Sequence, residues 1–164
     1  MMSRTTAGLV SAALLATALT ASPAAAHGGH TPEQVCGPGF GKVANGTRPV
    51  TDREGVVWAH VHLLYSARTG ENCVVTIKSR HVGVPTWTTA TLWVETPDRT
   101  YQDKSDYKYY AGPVKAYAKD KCVAFEGTTR TGKTGRHVFF DDRATGGSDG
   151  YGNCGARAKR RGGG

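Results

Sequence analysis

Four cysteines spread along the chain, Cys36, Cys73, Cys122 and Cys154, constrain it more than any other feature. Their number is even, no two of them form a CxxC pair, and they follow an N-terminus that has the marks of an export signal. Zinc ribbons and thioredoxin-type redox sites both need the close pairing that is missing here. In an exported chain the same cysteines form disulfides, so two are expected.

The export signal lies in MMSRTTAGLVSAALLATALTASPAAAHGG. Arg4 precedes an uncharged run from Ala7 to Ala21, and Ala24 and Ala26 supply the small residues before a cut. Thr17, Thr20, Ser22 and Pro23 break the run before it reaches the roughly 20 apolar residues that a membrane helix needs. Residues 1–26 are therefore read as a signal peptide, with a mature chain of about 138 residues starting at His27, the length of one domain. No second membrane candidate follows, and the expected location is extracellular.

The formal charge of +8 points to an acidic partner until its placement is examined. Without Arg4 there are 20 basic and 13 acidic residues, and Arg157, Lys159, Arg160 and Arg161 all lie in the tail GARAKRRGGG. The body is left at about +3, the mixed charge of a solvated surface. No specific nucleic-acid partner is expected, and the tail is a nonspecific anion-binding candidate whose attraction salt would weaken.

Strand signals run through the middle of the chain. In VVWAHVHLLY, Val57, Ala59, Val61, Leu63 and Tyr65 face one way, and Trp58, His60, His62 and Leu64 the other. CVVTIK from Cys73 reads as a second strand, and SARTGEN between them as a hairpin turn. TWTTATLWVET (86–96) is a third. DYKYYAGPVKAYAK (106–119) reads as two short strands broken at Gly112-Pro113, and 121–125 and 137–140 complete about six or seven. The expected fold is all-β: a small antiparallel β-sandwich or open barrel with two disulfides, spanning 36–155. HGGHTPEQV (27–35) reads as a flexible leader and 156–164 as a basic, Gly-rich tail.

VCGPGF, LLYSARTGENCVVTIKS, KYYAGPVKAYAKDKCV and NCG, in this order and spacing, resemble the spore-associated protein A family of small exported proteins from filamentous actinobacteria. The resemblance implies a disulfide-bearing protein of the spore or cell surface without established enzymatic activity, and it brings no catalytic residues. HVFFDDRATGGSDGYG and the basic tail depart from the family pattern.

Sequence alone leaves three ways to pair four cysteines. Cys73 and Cys122 each open a strand, which favours pairing them as a staple within the core and leaves Cys36 to close on Cys154. The sequential pairing, Cys36 with Cys73 and Cys122 with Cys154, is the alternative.

Candidate chemistry is sparse. A chain starting at His27 offers copper an amine and an imidazole, and His60 and His62, on one strand face, offer further nitrogens. The plainer reading is a loose HGGH leader and two half-exposed strand histidines. Trp58, Trp87 and Trp93 suit stacking on a polysaccharide, although Trp87 and Trp93, alike in parity, fit a buried face equally well. Ser148, Asp141, Asp142 and Glu95 make no nucleophile–base or paired-carboxylate arrangement. The expectation is a monomeric, non-enzymatic protein without cofactor, whose partners are cell-wall or spore-surface polymers.

Overall fold

The computed structural model describes residues 29–132, 135–141 and 151–155. Its elements are α1 (Pro32–Cys36), β1 (Gly41–Thr51), β2 (Val57–Ser66), β3 (Glu71–Lys78), β4 (Thr86–Val94), β5 (Arg99–Tyr107), β6 (Tyr110–Tyr117), β7 (Cys122–Arg130), β8 (His137–Asp141) and β9 (Asn153–Cys154). They form two antiparallel sheets, one ordered β1-β2-β3-β6 and the other β5-β4-β7-β8, with β9 extending the β7 edge. The chain is all-β, as its alternating runs indicate.

The expected hairpin is β2–β3, in register from Ala59 opposite Lys78 to Ser66 opposite Glu71. Its turn closes at Gly70, whose φ of 72° lies in the left-handed region that glycine adopts at little cost. Strand alternation then builds the core. Ala59, Val61 and Leu63 from β2, Val74 from β3, and Ala111, Val114 and Ala116 from β6 meet Ala90, Leu92 and Val94 from β4 and Val123 and Phe125 from β7.

The sheets approach closely at Gly127. A Cβ there would lie 2.6 Å from Val61 Cβ and 2.7 Å from Thr76 Oγ1 on the opposite sheet. Gly127→Ala is therefore expected to destabilise the protein by about 1–3 kcal/mol, read as a lower denaturant midpoint at unchanged slope. At the sandwich's end the buried Lys78 donates from Nζ to Val84 O (2.6 Å) and Tyr107 O (3.1 Å). It thereby ties the β3–β4 crossing to the end of β5.

Four expectations change, the disulfide pairing among them. β6 runs through Gly112-Pro113 and does not break there, because β6 is an edge strand and proline's missing N–H costs no ladder bond at a free edge. Gly112 sits beside an irregularity in the β3–β6 register, with φ 100°, where a Cβ would lie 2.7 Å from Val74 O. β1 and β5 were not foreseen. β1 is an edge strand, exposed over most of its length and interrupted by a register shift between Lys42 and Thr47, so only Val50 is buried in the core, with Val43 packed half-buried against it.

The third change concerns residues 31–35, within the 27–35 segment expected to be a flexible leader. Thr31 caps α1: its hydroxyl accepts from Gln34 N–H (3.1 Å), Gln34 Oε1 accepts from Thr31 N–H (2.8 Å), and Pro32 stands in the first turn. The helix sets Cys36 against the outer face of the first sheet, in a second cluster with Leu64, Cys73, Val75 and Ile77.

This layering corrects the favoured disulfide pairing. The bridges are Cys36–Cys73, with Cα atoms 6.1 Å apart, and Cys122–Cys154, with Cα atoms 3.8 Å apart. Cys73 alternates with the core residue Val74 and so faces outward from the first sheet. Cys122 alternates with core residue Val123 and faces outward from the second. The two point away from each other across the whole sandwich, while Cys154 lies directly opposite Cys122 in the β7–β9 ladder.

Candidate functional site

Two surfaces collect the residues singled out in the sequence, one on the outer face of each sheet. On the first, β2 alternation sends His60 and His62 outward side by side, with ring centroids 6.2 Å apart and ring planes 30° from parallel. Each ring has a hydroxyl at Nδ1: Ser79 Oγ at 3.1 Å from His60, and Thr47 Oγ1 at 3.0 Å from His62. Both rings line a hollow of about 240 Å³, together with Pro32, Lys42, Ile77, Lys78 and Ser79. Lys42 Nζ lies 3.6 Å from Glu33 Oε1, linking β1 to α1.

His62 is 8% exposed. Burial is the main cause that pushes its pKa down to about 4; the charges of His60 and Lys42 act in the same direction and Glu33 opposes them. His62 is thus a neutral imidazole across the physiological range, and it is more deeply buried than a half-exposed strand histidine. Among the described residues no three His, Cys, Asp or Glu side chains gather into a metal-holding group. His27, the proposed third nitrogen donor, lies outside the described residues. His30 is engaged with the tyrosines at the start of β6, 5.5 Å from the Tyr109 ring and 4.9 Å from the Tyr110 ring.

The second surface is the outer face of β5-β4-β7-β8. In β4 the core takes Ala90, Leu92 and Val94, so Trp87, Thr89, Thr91 and Trp93 occupy the opposite face. Of the two readings open for Trp87 and Trp93, the buried-face one is excluded: both are half-buried on the outside. They stand six positions apart, about 20 Å along a strand. Between them Gln102 of β5 donates from Nε2 to Thr91 Oγ1 (3.0 Å), and Thr128 of β7 donates to Glu126 Oε1 (3.2 Å). Phe139 of β8, 62% exposed, follows Thr128 in the same cross-strand row. Among the described elements α1 packs only on the other sheet, against β2, β3 and β6.

Trp58 does not join this row. It stands on β2 in the other sheet, stacked on His81 with centroids 5.5 Å apart, under the Arg80 guanidinium, with its indole N–H donated to Asp52 Oδ2 at 2.7 Å. That bond is the largest cause holding the Asp52 carboxyl below its usual pKa. Trp58 is therefore a clasp on the β1–β2 connection. The tail residues Arg157, Lys159, Arg160 and Arg161, the signal segment 1–26, Asp142 and Ser148 lie outside the described residues.

The sequence reading missed Thr47, Ser79 and Lys42 around the histidines, since their proximity comes from β1 pairing and the β3 end. Thr31 and Gln34 were legible: T-P-E-Q before Cys36 is a capping box with a proline in the first turn.

No family model matches the chain, and no solved structure matches it. Among curated proteins it is 36% identical over 123 residues to spore-associated protein A of Streptomyces coelicolor, an alignment that covers 75% of each chain. Among the described residues no helix is long and apolar enough to cross a membrane. With that identity over three quarters of both proteins, alongside an all-β fold carrying two disulfides, the chain belongs to the spore-associated protein A family.

Proposed function

We propose that this chain is an exported, non-enzymatic protein that adheres to polysaccharide of the spore or cell envelope through the outer face of β5-β4-β7-β8. The observation that carries the reading is the outward placement of Trp87 and Trp93 on one strand, about 20 Å apart, with the exposed Gln102 and the half-buried Glu126 and Thr128 of the flanking strands between them, beside the buried Thr89 and Thr91. Indole faces stack on the apolar faces of sugar rings, and the polar strip supplies hydrogen bonds to their hydroxyls, so an extended chain of several sugars matches the span. Spore association of the relative and disulfides suited to an oxidising exterior support the address.

Adsorption to chitin, cellulose and purified cell walls tests this. Trp87→Ala and Trp93→Ala are each expected to weaken binding about tenfold, or about 1.4 kcal/mol, with the thermal midpoint monitored as a control on the fold. Failure to sediment with all three materials refutes the reading, as does full binding by the double variant.

A further inference from the structure

We propose that one end of the first sheet, where Arg68, Lys115, Lys119 and Lys121 gather, binds a phosphodiester-linked polyanion of the envelope, a polymer of the poly(glycerol phosphate) type. The surface is separate from the polysaccharide face, which lies on the opposite sheet, and it acts through charge where that face acts through indole stacking.

Val114 and Ala116 enter the core, so alternation sends Lys115 and Tyr117 outward on β6, roughly 6.6 Å apart. Beside them runs the β2–β3 turn: a Cβ on Gly70 would lie 2.7 Å from Tyr117 Cε2 and 3.0 Å from Lys119 Cβ. Arg68 of the same turn reaches the loop between α1 and β1, where a Cβ on Gly39 would lie 3.8 Å from its Nε. Lys115 Nζ stands 4.9 Å from the centre of the Phe40 ring in that loop, and Lys121 Nζ 5.9 Å from the centre of the Tyr117 ring. The four cations thus form one band across the α1–β1 loop, the β2–β3 turn and the β6–β7 turn. Arg68, Lys115 and Lys119 are exposed, and among the described residues none of the four forms an ion pair.

Solvated cations arrayed along one rim attract a polyanion by releasing its counterions, and the two rings orient two of the ammonium groups in advance. The same contacts disfavour a nucleic acid. Phe40 and Tyr117 each carry an ammonium over the ring, in the place that a stacked base would take. A chain of phosphodiesters without bases fits better. The carboxylates at this end are Glu71, opposite Tyr117 in the ladder, and Asp120, with Glu95 and Asp98 beyond them on the turn after β4. The C-terminal run outweighs them. Gly155 N–H donates to Lys121 O (3.1 Å), and Arg157, Lys159, Arg160 and Arg161 follow it in the sequence. At up to about 3.6 Å per residue, the chain tethers the first within about 7 Å of Gly155 and the last within about 22 Å. Covalent attachment alone therefore holds four further cations within reach of the same rim.

The test titrates protein recovered from culture medium with fluorescently labelled poly(glycerol phosphate), read by anisotropy. Saturable binding in the micromolar range is expected at about 50 mM salt, falling about tenfold or more by about 200 mM. Arg68→Gln with Lys115→Gln and Lys119→Gln should weaken it about tenfold, and so should glutamine at all four tail cations. The three body side chains are exposed, so the variant is expected to keep its fold, with the thermal midpoint as the check. Arg53, Lys108 and Arg136, exposed on turns at the opposite end, give a control of equal charge: glutamine at all three should change binding by less than about twofold. Absence of saturable binding overturns the surface. So does binding unchanged in the Arg68, Lys115 and Lys119 variant, or an equal loss in the control, which would reduce the effect to net charge. Tighter binding of single-stranded DNA of the same total charge would overturn the choice of partner. The probe has no sugar rings for Trp87 and Trp93 to stack on, so these outcomes are independent of adsorption to chitin or cellulose.

Discussion

Removing the Cys36–Cys73 bridge by Cys36→Ala with Cys73→Ala is expected to lower the free energy of unfolding by roughly 4 kcal/mol, and Cys122→Ala with Cys154→Ala by a similar amount. The closed loops, 37 and 32 residues in sequence separation, are close enough in length that chain entropy hardly distinguishes them. Against the roughly 5–15 kcal/mol that stabilises a domain, either loss is large. The bridges differ in what they release. The first holds α1 on the outer face of one sheet and the second holds β9 on the edge of the other, so neither staples the two sheets together. Denaturant unfolding of the two double variants checks the magnitudes. Non-reducing tryptic digestion checks the pairing: the peptide ending at Lys42 should be linked to 69–78, and 122–130 to 144–157. A link between Cys73 and Cys122 would contradict the layering.

Acid should weaken the protein through His62. Its folded pKa is depressed to about 4 from 6.5, so between those values the unfolded chain binds a proton that the folded protein refuses. The sign follows: this stability is fully present above about pH 6.5 and is lost as pH falls towards about 4, by about 3 kcal/mol in total. The facing groups act together, with His60 and Lys42 deepening the depression and Glu33 reducing it. Carboxylates titrate in the lower part of the same window, so the useful quantity is the difference between wild type and His62→Gln. That difference should grow steadily between pH 6.5 and 4. A flat difference would mean that His62 charges freely in the folded state.

Much of the architecture was readable because alternation is a local signal. The parity of β2 placed Val61 and Leu63 in the core and His60 and His62 outside it, and the hairpin followed from Gly70 and the β-branched run after Cys73. What the sequence withheld was every fact that depends on which sheet a strand joins. Trp87 and Trp93 share a face in either reading; only the pairing of β4 between β5 and β7 makes that face the outer one. Cys73 and Cys122 both open good strands, and only their assignment to different sheets shows that they point apart. Gly112-Pro113 looked like a break because edge position is not written locally. Thr47 reached His62 through an edge strand whose own residues hardly alternate.

The open edges of the two sheets share a property that bears on how many copies could sit together. β1 carries Pro49 and a backbone irregularity at Asn45, β6 carries Pro113, β5 is lined with Arg99, Asp103, Lys104 and Asp106, and the remaining edge is divided between the short strands β8 and β9. Each device obstructs an incoming strand. Copies crowded onto one envelope would therefore not zip into fibres by sheet extension. A coat made of this protein would be a layer of separate particles, each fixed by what its faces grip.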